Sequence, residues 1–160
     1  MDSFQKTIQK IKEILPYVNL TVDSARRQFL IAPLILDLVT HTKAETNFDY
    51  SIPPIGESKV VIHYFLESCQ TVIIMSAENQ DLACGITELH SCLFALDKWL
   101  DFNSQNKIFG STTTGYIWQF SCLNRQTKEI YQDPKEYQLF ENIQDIMNTL
   151  TQALKGEDKG

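Results

Sequence analysis

Two apolar runs separated by a short polar segment constrain the fold of this chain more than any other feature. Residues 60–66 (VVIHYFL) and 71–77 (TVIIMSA) are rich in β-branched side chains, and Glu67-Ser68-Cys69-Gln70 lies between them. Such runs are typical of paired strands, and residues two apart in a strand share one face. The pattern predicts a β-hairpin in which Ser76 and Glu78 point the same way, with His63 directed to the same region.

Apolar residues at helical spacing predict the helices that surround this hairpin. A first amphipathic helix ends at Pro16, and a second, aliphatic helix has Asp23 or Thr21 as its cap. Pro33 lies inside the second helix and is expected to kink or split it, because proline lacks a backbone donor. The clearest helical pattern covers residues 82–100, and we expect this helix to pack across a sheet.

Strand patterns occur before and after the hairpin. Further strands are predicted over residues 45–52, 107–113 and 116–123, with a short one near 127–131. The order of helix, three strands, helix and two strands predicts an α/β fold with a mixed central sheet flanked by helices. The second run of the hairpin is the more apolar, and we expect it to be central. Residues 1–155 are predicted to form a single domain, and 156–160 a charged, flexible tail.

A start signal for the last helix is present at residues 133–136. Asp133 can act as a cap, Pro134 suits the first helical position, and Glu136 suits the third. An apolar stripe then runs from Ile143 to Leu154 at helical spacing. The sequence therefore predicts a terminal helix that begins close to Asp133.

Three segments together resemble the PD-(D/E)xK nuclease superfamily, in particular its small cyanobacterial-type members. They are residues 24–34 (SARRQFLIAPL), the hairpin, and residues 110–120 (GSTTTGYIWQF) followed by NRQT at 124–127. The resemblance covers most of the chain, and the flanking segments match better than the catalytic ones. It implies a restriction endonuclease-like α-β-β-β-α-β core.

The resemblance also implies where a catalytic site would lie. In that family, a strand Asp and the Glu of a Glu-x-Lys triplet hold Mg²⁺ or Mn²⁺, and the Lys positions the attacking water. His63 stands at the Asp position, Ser76 at the Glu position and Glu78 at the Lys position. A polar helix residue that follows, usually Gln, corresponds to Glu88. The resemblance thus implies a vestigial site that has lost two carboxylates and its only cation.

Three hypotheses for function stay open at this stage. The first is a non-enzymatic domain that needs no cofactor and binds nucleic acid or a protein partner. The second is an unconventional metal-dependent nuclease in which Glu78 and His63 bind Mn²⁺ or Zn²⁺. Its ligand set would be completed by one of three further carboxylates: Glu45, Asp49 or Glu88. The third is a structural or regulatory protein that forms a homodimer through a sheet edge or its last helix.

The charge balance bears on the nucleic-acid hypothesis. The net charge is −6, whereas proteins that bind duplex DNA without sequence preference gain affinity from a basic surface. Arg26, Arg27 and Lys43 are the first candidates for a local basic patch, although a solvated helix face is the more common use of such residues. The negative net charge therefore argues against sequence-independent binding of DNA.

The cysteines and the termini bear on the compartment. Cys69, Cys84, Cys92 and Cys122 show no C-x-x-C spacing, and the first residues lack the pattern of a secretion signal. We expect a reducing, cytoplasmic location. The longest apolar runs are shorter than the roughly twenty residues that cross a bilayer, so no membrane association is predicted.

Overall fold

The computed structural model of the chain describes residues 2–55, 58–100 and 105–156. The helices in these ranges are α1 Asp2–Ile14, α2 Asp23–Arg26, α3 Ala32–Thr42, α4 Leu82–Trp99 and α5 Ile143–Lys155. A π-helical turn, Arg27–Ile31, joins α2 to α3, and short 3₁₀ turns cover Leu15–Tyr17 and Glu78–Gln80. The strands are β1 Glu45–Ile55, β2 Ser58–Glu67, β3 Thr71–Ser76, β4 Lys107–Thr113, β5 Ile117–Asn124, β6 Glu129–Gln132 and β7 Tyr137–Gln138.

The sheet is mixed because β3 and β4 run parallel while the other described pairs are antiparallel. The strands follow the order β1-β2-β3-β4-β5-β6, and β7 also pairs with β5. Parallel neighbours need a crossover connection, which is usually a helix, and α4 is the helix between β3 and β4. The long helix predicted from periodicity is therefore the element that makes the β3–β4 step possible.

Both faces of the central strand are buried. Val72 and Ile74 of β3 belong to a core cluster that also contains residues of α1, α3 and α5. Ile73 and Met75 belong to a second cluster that contains the apolar stripe of α4. Since alternate side chains of a strand point to opposite faces, these two clusters place helices on both sides of the sheet. The predicted central position of the third strand is confirmed.

The helical segment between residues 23 and 42 is continuous but irregular. A π-helical turn lies just before α3, and Pro33 occupies the first turn of α3, where its missing N–H leaves no internal hydrogen bond unmade. The irregularity next to Pro33 is this π-helical turn, and the helical segment is not broken at Pro33. The predicted cap is wrong, because Val22 precedes the helix without a side-chain capping bond and Asp23 is already the first helical residue.

The start predicted for the last helix is also wrong. Residues 133–136 form a loop, β7 follows, and α5 begins at Ile143. The Asp133 N–H donates to the Phe120 carbonyl at 3.0 Å, and the Asp133 carboxylate accepts from the Tyr137 hydroxyl at 2.8 Å. Pairing with β5 thus takes the groups that a helical start would have used. The apolar stripe from Ile143 onward forms the helix as predicted.

The turn of the β2–β3 hairpin packs on the end of α5. The N–H groups of Cys69 and Gln70 donate to the Leu154 carbonyl at 3.0 and 3.2 Å, which satisfies an acceptor that the helix leaves open. Gly156 ends the helix with φ +76°, a conformation that glycine adopts without strain. Of the predicted tail, residues 157–160 lie outside the described residues.

The α/β fold with a mixed sheet flanked by helices is confirmed. The finer restriction endonuclease-like topology stays a prediction. Within the described ranges, every helix is too short or too polar to cross a bilayer.

Candidate functional site

The structure brings His63 and Ser76 together where β2 and β3 stop pairing. The registered pairs of these strands end at Tyr64 with Ile74. His63 precedes Tyr64 in β2. The Nδ1 atom of its imidazole accepts a hydrogen bond from the Ser76 backbone N–H at 3.1 Å. Nδ1 therefore carries no proton in this arrangement, and the proton of the neutral ring is on Nε2. A side chain has replaced a carbonyl as the partner of a strand N–H.

Burial and a neighbouring cation keep the His63 ring neutral. Burial lowers the pKa of His63 below 6.5, and the Arg27 guanidinium lowers it further. The carboxylates of Asp49 and Glu78 act in the opposite direction without reversing the shift. A lowered pKa agrees with the unprotonated Nδ1 that accepts from Ser76. The ring is therefore a neutral hydrogen-bonding group at pH 7.

A cleft of about 260 Å³ lies beside His63. We name it the Arg27 cleft, and its walls include Ser24, Arg27, Phe48, Asp49, His63 and Tyr64. Burial raises the pKa of Tyr64 to about 12, so its phenol stays protonated and donates to the Arg27 carbonyl at 3.3 Å. The cleft thus combines a cation, a carboxylate, a neutral imidazole and two aromatic rings.

Asp49 reaches this cleft from an irregular point in β1. The pairs on either side are Phe48 with Tyr64 and Tyr50 with Ile62, a register that sets Asp49 opposite His63. Asp49 has φ +51°, which is uncommon outside glycine and less so for Asp than for most residues. Backbone outliers of this kind cluster at functional sites, and here the outlier lies on the wall of a cleft.

Glu78 is not on a strand, so the predicted alignment of Ser76 and Glu78 on one strand face is wrong. β3 ends at Ser76, which is buried, and Glu78 is an exposed residue of the following 3₁₀ turn. The next residue, Asn79, has φ +53° and donates its N–H to both carboxylate oxygens of Asp23 at 3.1 Å. The turn that carries Glu78 is therefore fixed to the start of α2 instead of continuing the sheet.

Glu88 lies near Glu78, whereas Glu45 does not lie at this site. Burial raises the pKa of Glu88, and the Glu78 carboxylate raises it further, so the two carboxylates interact across the β3–α4 connection. Glu45 pairs with Glu67 at one end of the β1–β2 ladder, four strand positions from Asp49. The hypothesis that Glu45 completes a ligand set with His63 is therefore wrong on geometry.

The predicted basic patch is only partly present. Arg26 is 1% exposed and forms an ion pair with Asp23, and its second donor group reaches the Leu20 carbonyl at 2.7 Å. Arg26 therefore belongs neither to a basic surface patch nor to a solvated helix face. Arg27 is half-buried in the cleft, and Lys43 is exposed at the end of α3.

Sequence reasoning missed Asp23 as a part of this site. Its carboxylate joins Arg26 to the Asn79 N–H, and it also acts on the pKa of His63. The spacing of Asp23 and Arg26, three residues apart on a helix, is a signal that could have revealed the ion pair. The contact with Asn79, 56 positions away, has no counterpart in the sequence.

The residues at this site do not match the cation site that the resemblance implies. Hard divalent cations prefer several carboxylate oxygens, but His63 Nδ1 is engaged by a backbone N–H and Arg27 brings a positive charge to the same cleft. Across residues 2–55, 58–100 and 105–156, no three His, Cys, Asp or Glu side chains group closely enough to hold a metal ion. Glu78 and Glu88 remain as one carboxylate pair.

Comparisons of the chain with family models, curated proteins and solved structures give no match. The nuclease resemblance stays a prediction that rests on the residues themselves.

The lowered pKa of His63 predicts a pH-dependent stability. Unfolded His63 binds a proton as the pH falls through about 6.5, while the folded ring binds one only at lower pH. The free energy of unfolding should therefore decrease as the pH falls from 6.5 toward the folded-state pKa. His63→Asn, which keeps an acceptor near the Nδ1 position, should make this decrease shallower in urea unfolding between pH 5 and 7.5.

His90, whose pKa burial also lowers, leaves a residual pH dependence in that variant. His41→Asn, at an exposed position of α3, controls for the loss of a histidine as such. An unchanged pH dependence in His63→Asn, or an NMR titration of His63 at or above 6.5, would contradict the prediction.

Proposed function

We propose that this protein is a catalytically degenerate nuclease-like domain that binds nucleic acid without cleaving it. The observation that carries the proposal is the bond from the Ser76 N–H to His63 Nδ1 at 3.1 Å. The nuclease superfamily that this chain resembles has metal-binding carboxylates at two positions where this chain has His63 and Ser76. Here the His63 imidazole and the Ser76 backbone N–H instead form the hydrogen bond at the open end of the hairpin. The site has a structural use in place of a catalytic one.

The charges around the former metal position support the same proposal. Arg27 lowers the pKa of His63, so a positive charge already acts where a divalent cation would be needed. The position of the family's catalytic Lys carries Glu78, which cannot supply an ammonium to the attacking water. Both changes oppose metal-dependent hydrolysis.

Nucleic acid is the favoured partner because of the cleft next to His63. Arg27 suits phosphate recognition, and the half-exposed ring of Phe48 offers a stacking surface. The net charge of −6 disfavours a broad duplex-binding surface, so we expect recognition to be local.

A second candidate is a metal-dependent nuclease with migrated acids. The observation in its favour is that the pKa of Glu88 is raised by burial and also by the Glu78 carboxylate, so the two carboxylates interact. Two carboxylates can bind Mg²⁺ or Mn²⁺ together with water.

The test is a cleavage assay on single- and double-stranded DNA and RNA with Mg²⁺ or Mn²⁺, run beside a binding titration on the same substrates. The native protein should bind single strands and cleave none of the substrates. Cleavage that disappears in the Glu78→Gln, Glu88→Gln double variant would overturn the proposal in favour of migrated acids. Absence of both binding and cleavage would overturn it in favour of a protein-interaction role.

A further inference from the structure

Arg27 is a half-buried cation without a protein partner in the described part of the chain. Its neighbour Arg26 is buried with an ion pair to Asp23 and a bond to the Leu20 carbonyl. No hydrogen bond or ion pair among the described residues involves the Arg27 side chain, although a guanidinium carries five N–H donors. The two adjacent arginines thus have different roles: Arg26 holds the fold, and Arg27 presents its donors to the cleft.

Asp49 presents an opposite charge to the same cleft. Among the described residues its carboxylate also takes part in no hydrogen bond or ion pair, so it does not neutralise Arg27 directly. Asp49 lies opposite His63 in the β1–β2 register and has a φ of +51°. A cleft with separated positive and negative groups suits a ligand that carries an anionic group at one end and hydrogen-bond donors at the other.

Phe48 supplies an aromatic surface on the wall of the same cleft. Its side chain is 53% exposed although it belongs to a strand, and it lines the cleft. Tyr64 meets the Phe48 ring edge-on, with centroids 5.7 Å apart and planes at 79°, and this contact fixes the orientation of the ring. An exposed aromatic ring held in this way is the kind of surface on which a nucleobase stacks.

We propose that the Arg27 cleft binds a single guanine nucleotide with a 5′-phosphate. The phosphate accepts from Arg27 and from the Nε2–H of neutral His63, and the base stacks on Phe48. Guanine presents two adjacent N–H donors on one edge, which a carboxylate such as Asp49 accepts together. The inference rests on the proposed function, in which nucleic acid is the partner, and it names the recognised group.

The size of the cleft agrees with one nucleotide. Its volume of about 260 Å³ is just below the roughly 300 Å³ at which sites for larger organic ligands begin. A duplex cannot enter such a space, whereas a free nucleotide or the first nucleotide of a single strand can. These two sources share the same chemistry and are separated by experiment.

The experiment is a calorimetric titration of the native protein with GMP, AMP and guanosine. GMP should bind about tenfold or more tightly than AMP, which lacks the paired donors, and than guanosine, which lacks the phosphate. Arg27→Gln should reduce the difference between GMP and guanosine, because only the donor from His63 is left for the phosphate. Asp49→Asn should abolish the difference between GMP and AMP. Lys43→Gln, which removes an exposed charge outside the cleft, should leave all three affinities unchanged.

Short single strands that begin with guanosine, with and without a 5′-phosphate, distinguish the two sources. Binding of the phosphorylated strand more tightly than GMP assigns the site to strand ends, and binding of GMP more tightly than any strand assigns it to the free nucleotide. Equal affinities of the native protein for GMP and AMP, or an unchanged Arg27→Gln variant with native circular dichroism, would overturn the inference. Tight binding of longer single strands without a preference for guanine or for the 5′-phosphate would overturn the inference but not the proposed function. If the native protein binds no nucleic acid at all, the proposed function is overturned as well.

Discussion

Replacing Trp118 with alanine should reduce the free energy of unfolding by about 3–5 kcal/mol. Trp118 has no exposed surface, and it pairs with Thr113 on one side and Tyr137 on the other. Its ring stacks against Phe120 with centroids 6.4 Å apart. Truncation removes a large apolar surface from the core and leaves a cavity that strands on both sides prevent from closing. Denaturant unfolding followed by circular dichroism measures the loss.

Two variants separate cavity formation from other effects of losing tryptophan. Trp99→Ala changes a residue that is 48% exposed and should lose about 1 kcal/mol or less. Trp118→Phe keeps most of the volume and removes an indole N–H that has no hydrogen-bond partner among the described residues. The loss of stability in Trp118→Phe should therefore stay below about 1.5 kcal/mol. Similar losses of stability for Trp118→Ala and Trp99→Ala would show that the buried Trp118 ring does not stabilise the core more than an exposed tryptophan does.

Replacing Asp97 with alanine should cost a similar amount, about 3–5 kcal/mol, for an electrostatic reason. Asp97 of α4 is 8% exposed and accepts from Arg125 Nε at 2.8 Å and from Lys128 Nζ at 2.7 Å. The Arg125 side chain is only 11% exposed. Without Asp97, a guanidinium that cannot lose its proton stays largely buried after losing this ion pair. The denaturant midpoint of Asp97→Ala compared with the native protein gives the loss.

The exposed partner of the same carboxylate provides the control. The Lys128 side chain is 61% exposed, and Lys128→Ala should cost no more than about 1 kcal/mol, as is usual for ion pairs in water. If Asp97→Ala and Lys128→Ala lose equal stability, the buried Asp97–Arg125 pair between α4 and the turn after β5 does not stabilise the fold more than an exposed ion pair does.

The pH dependence gives an independent readout of Asp97. Burial raises the pKa of Asp97, but hydrogen bonds from Lys128 and Arg125 more than offset this effect and leave the pKa below 3.8. Because the folded-state pKa is lowered, the stabilisation is complete above the ordinary carboxyl pKa and is lost as the pH falls through the folded-state value. Asp97→Asn should remove this part of the acid dependence.

Local patterns predicted most of the elements. The strands over 45–52, 107–113 and 116–123 and the helix over 82–100 correspond to β1, β4, β5 and α4 within a few residues. Periodicity works for these segments because each buries one face or both faces over its full length, so the pattern is set by neighbours in the chain. The proximity of His63 and Ser76 also followed from the hairpin pattern.

The wrong predictions share one cause, which is a distant partner that outweighs a local preference. The start signal at Asp133 is used by the sheet, because the Asp133 N–H donates to the Phe120 carbonyl of β5. Asp23 is bound to Asn79 instead of capping its own helix. Glu78 lies in a turn that is held by the bond from the Asn79 N–H to the distant Asp23 carboxylate.

The sequence by itself determined the secondary structure that surrounds the site and the hairpin that joins His63 to Ser76. Only the tertiary structure decided that Arg26 is buried in an ion pair while Arg27 faces a cleft, and that Asp49 joins it there. Two adjacent arginines look alike in a sequence. Their roles diverge because burial and charge pairing depend on groups that folding brings from other elements, and no spacing along the chain records those groups.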